Sequence, residues 1–157
     1  MRKMGFLNKL YKEKKIQLVE PSENIKEAYI ERSMESITSA KTLFRINHLK
    51  DAVALTYYSM YYSLLALLFR TGIKCENHTG AIMLLKEVFN IDNVKIAKAK
   101  KERIDKQYYV DFSVTKEEVN KMVQTAEEFN AEILDFIEKL DNDKIEIYQK
   151  TTKSKLI

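Results

Sequence analysis

The chain almost entirely lacks the residues that interrupt helices. Only three glycines and one proline occur in 157 residues, whereas the strong helix formers Glu, Lys, Leu, Ala and Met are plentiful. A sheet protein with several tight turns would need more glycine. The sequence therefore predicts an all-α protein, and its length fits a single domain that buries a core without disulfides or a structural metal.

Apolar residues recur at steps of three and four in several segments, which is the periodicity of amphipathic helices. We expect an up-and-down helical bundle of four to five helices. Its predicted helices begin at Pro21–Glu23, run over Ala52–Phe69 as far as Gly72, cover His78–Phe89, and begin again at Thr115 and Glu118, a pair that caps the start of a helix.

The two ends of the chain differ in composition from this bundle. Residues 1–15 contain six basic residues and one acidic residue, a net charge of +5 in a chain whose total is +4. We therefore expect a basic N-terminal arm over residues 1–20, the bundle over residues 21–143, and a flexible C-terminal tail over residues 144–157. The arm is either a contact for nucleic acid or for an anionic membrane surface, or a solvated leader.

The segment Ala52–Phe69 holds 18 residues without a charge, which reaches the length of a membrane span. It also contains Thr56, Ser59, Ser63 and four tyrosines. A helix that is apolar on nearly all sides is equally expected at the centre of a bundle, and we predict that no membrane is involved. No secretory segment opens the sequence, so the expected location is cytoplasmic.

The same segment carries more large apolar and aromatic side chains than one small bundle is expected to hide. A surplus of this kind is typical of a self-complementary interface with two-fold symmetry. The sequence therefore predicts a homodimer.

Most enzymatic signatures are missing. The three glycines stand apart at positions 5, 72 and 80, so no Gly-rich phosphate loop exists. Two histidines and one cysteine do not make a zinc site of the ordinary type, and Cys75 has no base at a suitable spacing. We expect no metal and no cofactor.

Three motifs, in this order and spacing, resemble the HEPN family and in particular its small stand-alone prokaryotic proteins. The resemblance covers about Lys26 to Leu140. Its motifs are the aromatic-rich helix Ala54–Phe69, the element His78-Thr79-Gly80, and Arg103-Ile-Asp-Lys-Gln-Tyr108 followed by Ala126-Glu-Glu-Phe129.

This resemblance implies a function as well as a fold. Many HEPN proteins are metal-independent ribonucleases whose site is an arginine followed, after four to six residues, by a histidine. Other members bind nucleotides or RNA without catalysis. Many are encoded beside a minimal nucleotidyltransferase, the two forming a toxin and antitoxin pair.

The sequence departs from the nuclease pattern at one position. Four residues follow Arg103, but Tyr108 then stands where the family has histidine. A phenol with a pKa of about 10 is a poor general base at neutral pH, whereas imidazole, at about 6.5, is well placed. We therefore predict a nucleotide-binding or RNA-binding protein, or a nucleotidyltransferase partner, and expect that it is not an enzyme.

Two other functions remain open. One is a ribonuclease that uses Arg103 with Tyr108 or His78 in an unusual arrangement. The other is a helical interaction protein without a nucleic-acid ligand. Cleavage of RNA in the presence of a chelator would separate the first of these from the rest.

The predicted binding residues lie within and directly after the basic segment 95–106. Arg103 is the main phosphate contact. Each residue also has a purely structural explanation: Arg103 with Asp105 as a surface ion pair, the lysines as a solvated face, His78 as a structural hydrogen-bonding residue, and the tyrosines of the central helix as packing. The full predicted set is Lys100, Lys101, Arg103, Asp105, Lys106, Tyr108 and Tyr109.

Overall fold

The all-α fold is confirmed by the computed structural model, which describes residues 2–108 and 113–157, and the side chains of residues 4–106 and 113–157. The described residues form seven helices and two short strands, more helices than the four to five predicted. The elements are α1 (Arg2–Lys12), β1 (Ile16–Leu18), α2 (Glu23–Arg45), α3 (Leu49–Arg70), β2 (Ile73–Cys75), α4 (His78–Phe89), α5 (Val94–Tyr108), α6 (Lys116–Glu138) and α7 (Asn142–Leu156).

Helix α3 forms the centre of the molecule, and α2, α5 and α6 pack around it. Among the described residues it is the one helix long and apolar enough to cross a membrane, and 78% of its apolar window is buried inside the protein. Tyr57, Met60 and Leu64 are fully buried. The apolar character of α3 is therefore accounted for by its place in the core.

Two helices begin at capping residues that can be recognised in the sequence. The Ser22 hydroxyl accepts a hydrogen bond from the Ile25 amide at the start of α2, at 3.0 Å. Thr115 does the same for the Glu118 amide, at 3.1 Å. The Glu118 carboxylate accepts the Thr115 hydroxyl, at 3.2 Å, instead of capping a backbone amide. The predicted start of α6 is confirmed, with one half of the expected capping pair.

The prediction of a free N-terminal arm is wrong, because most of this segment is folded against the body. Leu7 and Leu10 lie three residues apart on one side of α1 and are 1% and 3% exposed. Ile16 is buried too, and β1 pairs antiparallel with β2. Lys9 and Lys12 are exposed on α1. The many basic residues of this segment obscured, in the sequence, an apolar face of the kind that docks a short helix.

The prediction of a flexible C-terminal tail is also wrong. Residues 142–156 form α7, whose start is capped by the Asp141 carboxylate. Ile145, Thr152 and Leu156 are buried, and the Tyr148 ring lies 4.9 Å from that of Phe89 in α4. The apolar residues of α7 are few, but they fall where α1 and α4 leave core side chains to be covered.

Candidate functional site

Arg103 is held against the central helix by two tyrosines. It lies on the side of α5 that also carries the buried residues Ile96 and Ala99, so its half-buried side chain extends along α3. Its Nη1 donates a hydrogen bond to the Tyr58 hydroxyl, at 3.2 Å. Its guanidinium carbon lies 5.2 Å from the Tyr58 ring centroid and 5.5 Å from that of Tyr57. Both distances allow a cation–π contact, so the charge is fixed in place.

His78 lies beside this arginine, at the first position of α4. The hydroxyl of Tyr57 is 2.8 Å from its Nδ1. Its ring stacks on Tyr61, with centroids 3.8 Å apart and planes at 14°. Burial lowers the pKa of His78, and the charges of Arg103 and Lys100 lower it further. The imidazole is therefore neutral at neutral pH.

The hydrogen bond between Tyr57 and His78 fixes the tautomer of the imidazole. Tyr57 is fully buried, and burial raises the pKa of its hydroxyl, which keeps its proton. In the described part of the chain, His78 Nδ1 is the one hydrogen-bond partner of that hydroxyl. A buried donor needs an acceptor, so Tyr57 donates to Nδ1 and the ring hydrogen is on Nε2. His78 therefore presents a hydrogen-bond donor, and no free basic nitrogen.

The structure brings together two of the three catalytic candidates. Arg103 and His78 are distant in sequence but meet at Tyr57 and Tyr58, and the charge of Lys100 acts on the same imidazole. Tyr108 is the last residue of α5, but its side chain lies outside the described part of the chain. Tyr109 lies outside the described residues altogether.

The remaining predicted binding residues have different surroundings. Lys101 is exposed on α5. Lys106 donates to the Ser113 carbonyl, at 2.9 Å, and lies 3.5 Å from the Glu118 carboxylate, so it ties α5 to the start of α6. Asp105 forms no ion pair within the described residues, and the surface pair with Arg103 considered from the sequence does not form there.

A second arginine was missed by the sequence analysis. Arg32 in α2 donates from Nη2 to the Tyr62 hydroxyl, at 3.0 Å, and its guanidinium carbon lies 4.4 Å from the centre of that ring. Tyr58 and Tyr62 are one helical turn apart on α3 and their rings stack, with centroids 6.0 Å apart. The spacing of these tyrosines was the available signal, but nothing in the sequence indicates which arginine each one meets.

Comparison with known proteins agrees with this arrangement of helices. The HEPN domain model matches residues 26–145. The chain belongs to the HEPN domain family. A UPF0332 protein of Thermotoga maritima is 32% identical over 133 residues, covering 77% of this chain and 94% of the relative. A protein of Methanocaldococcus jannaschii named "Putative toxin" is 30% identical over 110 residues, covering 66% of this chain and 81% of the relative. The resemblance seen in the three motifs is thus confirmed.

The one cysteine of this HEPN protein has a structural environment. Cys75 is buried at the end of β2, and its thiol donates to the Asn77 carbonyl at 3.3 Å. Burial raises the pKa of the thiol to about 11, so it is protonated at neutral pH and is not a ready nucleophile. Among the described residues, no group of three or more His, Cys, Asp and Glu side chains is placed to hold a metal ion.

Proposed function

We propose that this HEPN protein binds RNA through the face of α3 and α5 centred on Arg103, without cleaving it. The observation that carries the proposal is the position of the Arg103 guanidinium, which Tyr57 and Tyr58 hold in one place while the side chain stays half-exposed. A guanidinium grips phosphate through two parallel hydrogen bonds. Because the tyrosines already order the side chain, less conformational entropy is lost when phosphate binds.

The surroundings of Arg103 suit an anionic ligand. Lys100 and Lys101 precede it on α5, and His78 contributes a neutral donor at the start of α4. Phosphate contacts from such side chains supply most of the affinity of a protein that reads little sequence, and they make that affinity fall with salt. A single nucleotide would use the same phosphate contact.

A ribonuclease is the second candidate, and the meeting of Arg103 with His78 is the observation that favours it. General-base catalysis needs an unprotonated nitrogen directed at the reacting hydroxyl. In the tautomer inferred above, the buried Tyr57 hydroxyl donates to Nδ1 of His78, and the ring hydrogen is on Nε2. Catalysis by His78 would require exchange of this tautomer and a new acceptor for the buried Tyr57 hydroxyl, so we favour binding.

Replacing Arg103 with alanine should weaken RNA binding by about tenfold or more, because the fixed phosphate contact is lost. The measurement is a titration of a fluorescent single-stranded oligouridylate at low salt with chelator present. Arg45→Ala is the matched control, since Arg45 is an exposed arginine at the far end of α2. The same samples, resolved on a denaturing gel, should contain intact RNA.

Equal losses in the two variants, or no binding by the wild type at low salt, would contradict the binding proposal and favour a helical interaction protein without a nucleic-acid ligand. Cleavage by the wild type that disappears in Arg103→Ala and in His78→Gln would establish the ribonuclease instead.

The biological setting that we propose is the toxin-like half of a two-gene system. The name of the Methanocaldococcus jannaschii relative supports this assignment, as does the HEPN domain itself. The expected partner is a minimal nucleotidyltransferase encoded beside this chain. Its role as the antitoxin would be to control the RNA-binding protein.

We also propose a homodimer, although the reason given by the sequence does not hold. The large side chains of α3 are mostly hidden within one chain. An apolar groove of about 120 Å³ instead lies between α2 and α6, with Met34 63% exposed and Leu134 37% exposed at its edge. A two-fold axis beside the groove would place each Met34 in the groove of the other copy, and methionine adapts well to such gaps.

Light scattering should therefore report about twice 18.5 kDa. Met34→Glu should shift the mass toward that of one chain, because it places a charge in the proposed interface. Ile147→Glu, at a 59% exposed position on α7, is the control and should leave the mass unchanged. A wild-type mass of a single chain at micromolar concentration would exclude the dimer.

A further inference from the structure

Arg32 has the same relation to Tyr62 as Arg103 has to Tyr58. Each arginine donates to the hydroxyl of its tyrosine and also lies within cation–π distance of the ring. The two arginines come from different helices, α2 and α5, which both pack against α3. The tyrosines they meet are neighbours on one face of α3, with ring centroids 6.0 Å apart. The pairs thus form two similar units on one surface.

A row of stacked aromatic rings runs past both arginines. From Tyr58 the stacked rings proceed to Tyr62, then to Tyr29 in α2 and to Phe69, at centroid distances of 6.0, 5.9 and 5.5 Å. All four side chains are partly exposed. Neighbouring rings are within 29° of parallel and their centroids are 5.5–6.0 Å apart, so each ring is offset sideways from the next. The row carries one guanidinium at Tyr58 and another at Tyr62.

The position of Arg32 is fixed by its neighbour in sequence. Ser33 is buried and its hydroxyl donates to the Ser59 carbonyl of α3, at 2.6 Å, and lies 2.8 Å from the Ser63 hydroxyl. Ser63 in turn donates to Asn130 of α6, at 2.9 Å. These bonds fix α2 against α3 one residue away from Arg32. The guanidinium of Arg32 is therefore held at a defined place relative to α3, as that of Arg103 is.

The positive charge of Arg32 is not neutralised by a carboxylate among the described residues. Glu31 and Glu35 lie close to it in sequence, but among the described residues Arg32 forms no ion pair with either. Its bond to Tyr62 uses one N–H group of the guanidinium, and a guanidinium has five. The side chain is exposed, which leaves N–H groups and a full positive charge available for an anionic ligand.

We propose that Arg32, positioned by Tyr62, is a second phosphate contact, and that the ligand is a single RNA strand spanning the face from Arg103 to Arg32. This inference rests on the proposed function and narrows it. A mononucleotide carries its phosphates at one point and reaches one of the two guanidinium groups. A strand carries a phosphate at every nucleotide, and successive phosphates engage both. The stacked rings of Tyr58 and Tyr62 lie between the two arginines and hold their spacing.

An acidic segment of a protein is the competing occupant of a surface with two arginines. The four stacked rings of this face are only partly exposed, so they offer such a partner no fully exposed apolar anchor. Protein interfaces rely on apolar anchors at their centre. Phosphate contacts by fixed arginines need none, which favours the nucleic acid.

The test compares three variants on two ligands. Arg32→Ala removes the proposed contact, Arg103→Ala removes the first contact, and Arg45→Ala is the control on the same helix as Arg32. The ligands are a labelled oligouridylate and uridine monophosphate, titrated over a range of salt concentrations. Circular dichroism confirms that each variant is folded. Tyr62→Phe, which keeps the ring and removes the hydroxyl, tests whether Tyr62 positions Arg32.

Arg32→Ala should weaken oligouridylate binding by about tenfold and reduce the slope of log affinity against log salt by about 0.7, the value for one phosphate contact on a single strand. Its affinity for uridine monophosphate should be unchanged, whereas Arg103→Ala weakens both ligands. Tyr62→Phe should cause a smaller loss on the oligonucleotide alone. Arg45→Ala should leave both affinities unchanged.

Two results would overturn this inference while leaving the binding site at Arg103 intact. One is an Arg32→Ala protein that behaves like Arg45→Ala on the oligouridylate while Arg103→Ala still loses affinity, which would make Arg32 a structural cap on Tyr62. The other is poly-glutamate that binds as tightly as the oligouridylate and is equally sensitive to Arg32→Ala, which would assign the face to an acidic protein. Absence of RNA binding by the wild type would overturn the proposed function itself.

Discussion

Replacing Gly72 with alanine should lower the free energy of unfolding by about 2–5 kcal/mol. A left-handed backbone costs a residue with a side chain about 1–2 kcal/mol. Overpacking by the added methyl group costs about 1–3 kcal/mol. Gly72 has a φ of +80°. An added Cβ would collide with the backbone oxygen of Val19 and the side-chain nitrogen of Gln149, and would lie 3.2 Å from Pro21. The backbone of Val19 is restrained, because Val19 directly follows the paired strand β1 and its amide donates to the Gly72 carbonyl, at 2.8 Å.

The same substitution at Gly5 is the control. Gly5 is exposed in α1, and an added Cβ there meets nothing within 4 Å. Because alanine is a better helix former than glycine by about 1 kcal/mol, Gly5→Ala should leave stability unchanged or raise it. Urea denaturation of both variants measures the difference. A Gly72→Ala protein as stable as the wild type would mean that the N-terminal segment and α7 do not meet at this turn.

Gly72 also shows how far the sequence predicts this fold. That a glycine after an apolar run ends a helix follows from local chemistry, and α3 ends at Arg70 as expected. The sequence did not reveal that the amide of Val19 donates to the Gly72 carbonyl, at 2.8 Å, or that Gln149 approaches the same turn. These contacts depend on the N-terminal segment and on α7, which are distant from Gly72 in sequence. The short apolar faces of both segments are hard to recognise in the sequence because lysines surround them.

The candidate site, like the fold, could be predicted from the sequence only in part. The spacing after Arg103 and the family resemblance singled out this residue, and the structure places it at a partly buried position beside α3. The tyrosines that hold it were identified only as packing residues, although Tyr57 and Tyr58 also carry the hydroxyls that meet His78 and Arg103. A hydroxyl's partner is set by the packing angle between helices, which periodicity does not give.

The motif Ala126-Glu-Glu-Phe129 has a structural explanation that can be tested. Ala126 and Phe129 are three residues apart in α6 and both are fully buried, whereas Glu127 and Glu128 are exposed. Ala126 leaves room for α6 to approach α3 closely, and Phe129 is among the largest side chains that are completely enclosed. The apolar residues of the motif thus mark the packing of α6 against α3.

Phe129→Ala should therefore destabilise the protein by about 3–5 kcal/mol, the usual cost of removing a buried phenylalanine ring and leaving a cavity. Gln124→Ala is the control on the same helix, since Gln124 is exposed and the substitution should cost about 1 kcal/mol or less. Urea titrations followed by circular dichroism give both values. RNA affinity, measured below the unfolding transition, should be close to that of the wild type for Phe129→Ala, because Arg103 and its tyrosines come from α5 and α3. A loss of stability no greater than that of Gln124→Ala would show that α6 does not pack its Phe129 into this core.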